Sequence, residues 1–305
     1  MIDTLVQVIV LLVMPPLLLG VITKTKAAFA GRVGAPLLQP YYDLIKLFRK
    51  GSVLSRTTTW VFLAGPAVTM VAVLLAGLLV PMSGQPAPIR FAGDLILFAY
   101  LLALGRFFTA IAALDTGSSF EGMGAAREVT FACLAEPALF FALLALARLT
   151  GGLSLSESFG PQVAAGWVTA APTMVLLLGG VFIVLLVENS RIPFDDPNTH
   201  LELTMIHEVM VLDHGGPALG AVLYGAAVKL FVFSTLIVRL AVPFSGDQPL
   251  LRWPLFIASV LAVAVVVGIV ESIMARLRLL HVPNLLVGAC LLTAFGFVLL
   301  LGGPQ

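Results

Sequence analysis

Apolar residues occur along this chain in long, nearly uninterrupted runs separated by short polar stretches. A run of about 20 apolar residues is long enough to cross a bilayer as a helix. Eight such runs stand out, at about residues 5–22, 60–82, 93–114, 127–149, 169–187, 217–242, 253–275 and 283–302. They predict an all-α polytopic membrane protein with eight transmembrane helices, and one membrane domain over residues 1–305. No internal repeat, low-complexity tract or soluble domain breaks the pattern. Asp3 stands where a signal peptide has its basic segment, and no small-residue cleavage site precedes Lys24, so a cleaved leader is not expected.

The loops divide by chemistry. Lys24, Lys26, Arg32, Lys46, Arg49, Lys50 and Arg56 crowd the first, and Arg127, Arg191, Arg276 and Arg278 lie at the other odd-numbered loops. The even-numbered loops and their edges carry only Arg90, Arg148, Arg239 and Arg252. The excess predicts cytoplasmic odd loops (about 23–59, 115–126, 188–216 and 276–282), both termini outside, and residence in the cell's inner, cytoplasmic membrane. Composition agrees: 60% of residues are hydrophobic and only 11% charged, against roughly 25% in a soluble domain. With a formal charge of +1 and two cysteines, neither nucleic-acid binding nor a disulfide scaffold is expected.

Charges inside the apolar runs are the informative exceptions. Arg106 and Lys229 lie within the third and sixth, Glu136 within the fourth, and Glu188 and Glu271 near the cytoplasmic ends of the fifth and seventh. A mid-span charge costs on the order of 2.5–3.5 kcal/mol on insertion scales, so each needs a partner or a wet cavity. A structural ion pair suits Arg106 best, because arginine stays protonated. It suits Glu136 least, because a carboxyl in a low-dielectric span can exchange protons near neutrality. Glu271 shares a helical face with Arg278 and is expected to pair with it.

Two cytoplasmic loops stand apart. In the fifth, Asp196-Pro197 reads as a helix start, with the helix running to about Leu212 and ending at Gly215-Gly216-Pro217. Such a helix places His200, Thr204, His207 and Glu208 on one face and Glu202 on another. Glu188, Asp195, Asp196, Glu202, Glu208 and Asp213 put six acids beside the membrane, read either as a solvated face or as a functional series. His200, His207 and His214 recur at seven-residue spacing but form no HExxH, and no cysteine lies nearby, so no metal site is expected. No phosphate loop, dinucleotide fingerprint or nucleophile elbow occurs, so no catalytic residue is expected. In the first loop, the stretch after Pro40 forms an amphipathic helix, with Leu44, Leu47 and Phe48 opposite Asp43, Lys46 and Lys50. It reads as a helix lying on the membrane surface or docking a soluble partner.

Four segments together resemble one family. They are residues 31–50 with Leu38-Gln-Pro and Asp43, Gly124-Ala-Ala-Arg-Glu through Ala135-Glu-Pro, the loop from Glu188 to Glu208 with Arg191-Ile-Pro-Phe-Asp, and Glu271-Ser-Ile-Met-Ala-Arg-Leu-Arg278. In order and placement they resemble the membrane-anchor subunit shared by respiratory complex I and the energy-converting nickel–iron hydrogenases, formate hydrogenlyase types included. The resemblance implies a non-catalytic subunit that joins a peripheral redox arm to ion-pumping membrane subunits. Its expected partners are a nickel–iron hydrogenase-like large subunit, a small iron–sulfur subunit and antiporter-like membrane subunits. The nickel–iron centre and the iron–sulfur clusters would lie in those partners, with no cofactor in this chain.

Carried over by position, Glu136, Glu188, Asp195, Glu202, Glu208, Glu271 and Lys229 would form the ion-coupling path. Arg127, Arg191, Asp43, Lys46, His200 and His207 would dock the redox arm. Quinone-linked relatives carry a Glu-x-Glu-x-Glu-Leu cluster after the Pro-Phe-Asp element; here Asn198, His200 and Glu202 take those positions. That departure weighs against quinone and towards the hydrogenase branch. Two rival readings stand beside it: a complex I-like quinone-chamber subunit, and a self-contained ion-coupled transporter using Lys229, Glu136 and Glu271. Transporters of that kind usually show inverted repeats, and none is visible. The electron donor and the choice between proton and sodium are not legible.

Overall fold

The computed structural model describes residues 2–195, 205–242, 244 and 249–302. Among them the secondary structure is entirely helical: α1 (Ile2–Val13), α2 (Pro15–Phe29), α3 (Gln39–Phe48), α4 (Trp60–Leu79), α5 (Asp94–Asp115), α6 (Ser119–Thr150), the short α7 (Leu155–Ser158) and α8 (Pro161–Thr169), α9 (Ala171–Glu188), α10 (Gly216–Ala241), α11 (Pro249–Ile273) and α12 (Val282–Gly302), with two 3-10 turns. Seven of these helices are long and apolar enough to cross a membrane, and the bent pair α1–α2 makes an eighth if counted as one span. The architecture is the all-α polytopic bundle that the apolar runs predict.

The bend in the first span follows from Pro15 and Pro16. Proline has no N–H, so the carbonyls of Leu11 and Leu12 lose their helical donors. The Leu17 N–H bonds the Met14 carbonyl instead of continuing the ladder, which leaves the Val13 carbonyl open as well. The helix turns by 48° there. Two tyrosines fill the gap: Tyr224 of α10 donates its hydroxyl to the Leu12 carbonyl at 2.8 Å, and Tyr41 of α3 donates to the Val13 carbonyl at 2.5 Å.

Between helices, small residues set the spacing. A Cβ on Gly65 of α4 would stand 2.6 Å from the Ala112 methyl of α5, and one on Gly180 of α9 would stand 2.3 Å from the Thr293 methyl of α12. α10 is the central helix, with 78% of its apolar window inside the bundle against 22% for α12. Alternating spans give the bundle a basic end, where residues 30–38, 49–59, 189–195, 205–215 and 274–281 gather, and an opposite end with the connections 80–93 and 151–170. Fully buried Asp94 locks the opposite end by accepting from the Leu155 N–H at 2.6 Å and the Ser154 hydroxyl at 2.9 Å.

Three expectations from the sequence are corrected. The fourth span begins at Ser119, not near residue 127, so its first turns project from the basic end. The amphipathic helix is present as α3, but it is not simply laid on a membrane surface: Leu47 and Phe48 lie against Gly220 of α10. The helix expected from Asp196 to about Leu212 is absent from its described part, where only the 3-10 turn Glu208–Val211 forms. Side chains have taken the backbone groups that a helix would need. Asp195 accepts from the Ile206 and His207 N–H groups, and Arg127 donates to the Met205 carbonyl. Residues 196–204, with Asp196, His200 and Glu202, lie outside the described residues.

Candidate functional site

Arg106 organises the centre of the bundle. It projects from α5, where its side chain is 8% exposed, and its guanidinium meets three carboxylates. Nη2 lies 2.5 Å from Glu188 of α9, Nη1 bonds Glu136 of α6, and Nε lies 3.6 Å from Glu128, also of α6. Glu188 is shared: its second oxygen lies 2.7 Å from Nζ of Lys229 on α10. Four helices thus contribute two cations and three acids to one cluster. Isolated in the apolar interior each charge would be prohibitive, and the mutual pairing makes them tolerable. Glu136 differs from the others in facing outwards, its side chain being 39% exposed.

A second cluster lies towards the basic end. Glu271 of α11, fully buried at its side chain, lies 2.9 Å from Lys26 of α2 and 3.4 Å from Arg191 in the loop after α9. Arg191 sits in a backbone turn made by Ser190, whose φ is 50°, and by the cis Ile192–Pro193 peptide. Asp195, 2% exposed, pairs with Arg276 at 2.8 Å and holds the Ile206 backbone at 3.0 Å. The loop after α11 is tied to the same place by the Leu277 N–H on the Pro193 carbonyl.

Three cavities with shared lining residues lie along the two clusters. The first, about 320 Å³, opens among Lys26, Arg191, Glu271, Glu208 and His207. It shares Asn189, Ser190 and His207 with a second, about 50 Å³, lined by Thr69, Thr109, Lys229 and Glu128. The second shares Arg106 and Glu188 with a third, about 230 Å³, which reaches Glu136 between α5 and α6 beside Tyr100 and Phe140. A string of polar side chains thus leads from the basic end to the lateral face of the bundle. His207 stands where the first two cavities meet. Its half-buried imidazole is held below its ordinary pKa range by loss of water, with Glu128 pulling the other way.

The structure brings Glu136, Glu188, Lys229, Glu271, Asp195, Glu208 and His207 into or beside this string. Asp43 and Lys46 lie exposed on α3, with Asp43 accepting from Gln39 at 2.9 Å. Arg127 and Arg191, read from the sequence as docking residues, direct their guanidinium groups into their own chain, to the Met205 carbonyl and to Glu271. The expected Glu271–Arg278 pair is replaced by Lys26 and Arg191, because α11 ends at Ile273 and Arg278 leaves its face. Glu202 and His200 lie outside the described residues. Sequence reasoning passed over Glu128 and the inward role of Lys26. Glu128 already fell within the fourth run, but as its second residue it read as a charge at the end of a span; with the helix beginning at Ser119 it lies well inside, two turns before Glu136. Among the described residues no group of three or more His, Cys, Asp or Glu could hold a metal ion.

A family model described as NADH dehydrogenase matches residues 2–302. The chain is 33% identical to hydrogenase-4 component C of Escherichia coli (strain K12) over 286 residues, covering 92% of this chain and 89% of that protein. It is 31% identical to formate hydrogenlyase subunit 4 of the same organism over 288 residues, covering 92% of both. A subunit of the NADH-quinone oxidoreductase from Rubrobacter xylanophilus is 30% identical over 168 residues, covering 55% of this chain and 51% of that one. Among solved structures, a chain of the membrane-bound sulfane sulfur reductase, an archaeal respiratory membrane complex, superposes with a TM-score of 0.84 over 98% of both chains at 24% identity. That likeness establishes the fold.

Proposed function

The chain belongs to the NADH dehydrogenase family, and from that premise we propose that it is the membrane-anchor and coupling subunit of an energy-converting hydrogenase-like complex of the formate hydrogenlyase type. In this reading it docks a peripheral redox arm at its basic end and links electron transfer to proton or sodium translocation. The full-length similarity to formate hydrogenlyase subunit 4 and hydrogenase-4 component C supports the hydrogenase branch. The partners are a nickel–iron hydrogenase-like large subunit, a small iron–sulfur subunit and antiporter-like membrane subunits, and the metal centres reside in them. The basic end faces the cytoplasm, both termini face the other side, and the membrane is the cytoplasmic one.

The observation that carries this reading is the continuous string of charged and polar side chains from the Lys26–Glu271 cluster to Glu136. Its chemistry suits coupling without catalysis. The central cluster holds two cations and three acids, so full ionisation leaves one negative charge unbalanced, and one proton on an acid restores balance. Glu188, held by Arg106 on one oxygen and Lys229 on the other, passes any shift in one contact to the other. A charge change in a docked partner near Glu271 and Asp195 would move the favoured site of that proton, because charge interactions weaken slowly with distance in an apolar interior. Glu136, at the exposed end, would deliver the perturbation to a neighbouring membrane subunit.

The test is Glu136→Gln in the assembled complex, with ions moved per electron as the readout. The expected result is a lowered ratio with electron transfer retained; an unchanged ratio removes Glu136 from the path.

One observation favours a second reading. The cavity of about 320 Å³ beside Lys26, Arg191 and Glu271 joins apolar walls from Leu19, Ile22 and Ala227 to these charges. It falls at the lower end of the roughly 300–1,000 Å³ range for small-molecule sites, as a quinone chamber would require. Bound quinone in the purified complex, or block by quinone-site inhibitors, decides for it; hydrogen evolution without quinone decides against.

A further inference from the structure

Asn189, Ser190, His207, Val222 and Ala226 line both the cavity of about 320 Å³ and the cavity of about 50 Å³. They form the partition between the outer cluster around Glu271 and the central cluster around Arg106. Of these residues, His207 alone carries a group that takes up and releases protons near neutral pH. The acids on either side do not cross the partition. Glu271 is held by Lys26 and Arg191, Asp195 by Arg276, and Glu188 by Arg106 and Lys229. Glu271 and Asp195 line the outer cavity and Glu188 the inner one.

The backbone sets the imidazole between the clusters. The His207 N–H donates to Asp195 at 3.3 Å, and the His207 carbonyl accepts from the Met210 N–H at 3.1 Å. With both backbone groups tied, rotation of the side chain is the freedom left to it. Charges of both clusters act on the ring: Glu128 of α6, Lys229 of α10 and Arg106 of α5 from the central one, and Asp195 from the outer one. Loss of water favours the neutral ring, while Glu128 and Asp195 favour the charged one and Lys229 and Arg106 oppose it. A neutral imidazole offers a donor on one nitrogen and an acceptor on the other, which is what handing on a proton requires.

We propose that His207 is a proton relay between the two clusters and not a docking residue for the redox arm. The inference rests on the coupling reading above and names the proton as the species handed along this chain. One ring nitrogen takes a proton from an acid or a water of the outer cavity, so that an N–H bond forms as an O–H bond breaks. The other nitrogen releases its own proton to a water of the inner cavity or to Glu128, the most loosely paired acid of the central cluster at 3.6 Å from Arg106. One proton has then moved, and the ring is neutral again in its other tautomer. A half-turn about Cβ–Cγ restores the starting state. The inner cavity, about 50 Å³ with Thr69, Thr109 and Glu128 in its walls, has room for a few waters, so the last transfer needs no direct contact.

The experiment reconstitutes the assembled complex in phospholipid vesicles and reads charge moved per electron with a potential-sensitive dye. His207→Gln keeps a polar side chain that carries no proton at neutral pH. It is expected to lower the ratio about tenfold or more, given that a placed proton carrier contributes about 10²–10⁴-fold and water replaces part of it. His207→Ala is then measured with added imidazole and with added pyrazole, a ring of the same size that is far too weak a base to take a proton at neutral pH. Imidazole is expected to restore the ratio and pyrazole to leave it low, a difference that a space-filling histidine would not produce. An unchanged ratio in His207→Gln overturns the relay alone, and so does the same response to both rings. Loss of the redox arm from both variants overturns it in favour of docking. A wild-type complex that moves no charge overturns the coupling reading itself, and the relay with it.

Discussion

Glu188 is the residue on which the centre of the molecule depends. Replacing it with glutamine leaves Arg106 without its most buried carboxylate partner and Lys229 without its ion pair, both inside the bundle. Breaking a buried pair from one side costs about 3–5 kcal/mol, so Glu188→Gln should lower the thermal midpoint of the detergent-solubilised chain sharply. Adding Lys229→Met should recover part of that loss, since it removes one stranded cation. At the basic end, His214 is 5% exposed with its ring 3.9 Å from that of Phe62, and burial lowers its pKa from the ordinary 6.5 while nearby Asp213 opposes the shift. Below pH 6.5 the unfolded chain binds the proton more readily than the folded one, so stability falls as pH drops through that range. Thermal melts between pH 7.5 and pH 5 should show about that loss, flattened in His214→Gln. The intramembrane charges themselves were legible, because a lone Arg106 or Lys229 in an apolar run stands out in any sequence. Their pairing was not, because Arg106 and Glu188 lie 82 residues apart and are brought together through α6, which packs against both α5 and α9.

At the scale of elements, the apolar runs place nearly every span, because only a helix can satisfy its own backbone in lipid. The same logic fails in the fifth loop, where Asp195 and Arg127 compete successfully for backbone partners that a helix would use. Gly124 completes that competition: a Cβ there would stand 2.3 Å from the Val209 side chain, so the glycine lets the loop lie against α6. Pro15-Pro16 foretells a break in the first span, but not what closes it. Tyr224 and Tyr41 are the missing donors, and each such bond contributes about 0.5–1.5 kcal/mol. Tyr224→Phe should therefore destabilise the chain by about 1 kcal/mol and speed proteolysis near residues 12–17, with Tyr41→Phe adding a separate decrement.

For the molecule as a whole, the path from Lys26 to Glu136 crosses α2, α11, α10, α9, α5 and α6, and no single segment contains it. Sequence reasoning singled out Glu136, Glu188, Lys229 and Glu271 but not their order in space. Under the proposed coupling, that path would have a mechanical side. α6 runs unbroken for 32 residues, roughly 48 Å, which exceeds the hydrocarbon thickness of about 30 Å. Its first turns carry Glu121 and Arg127, which grip the backbone at Asp213 and Met205, and its later turns carry Glu128 and Glu136. The helix is thus a lever whose handle is at the basic end. Its soft point is Pro137, where the Cys133 carbonyl has no helical donor, one residue beyond Glu136. Under the proposed coupling, torque applied at the handle would reach Glu136 and be relieved just past it, leaving the helix beyond Pro137 at rest. Pro137→Ala should stiffen that joint, raising the melting temperature while reducing ions moved per electron in the assembled complex.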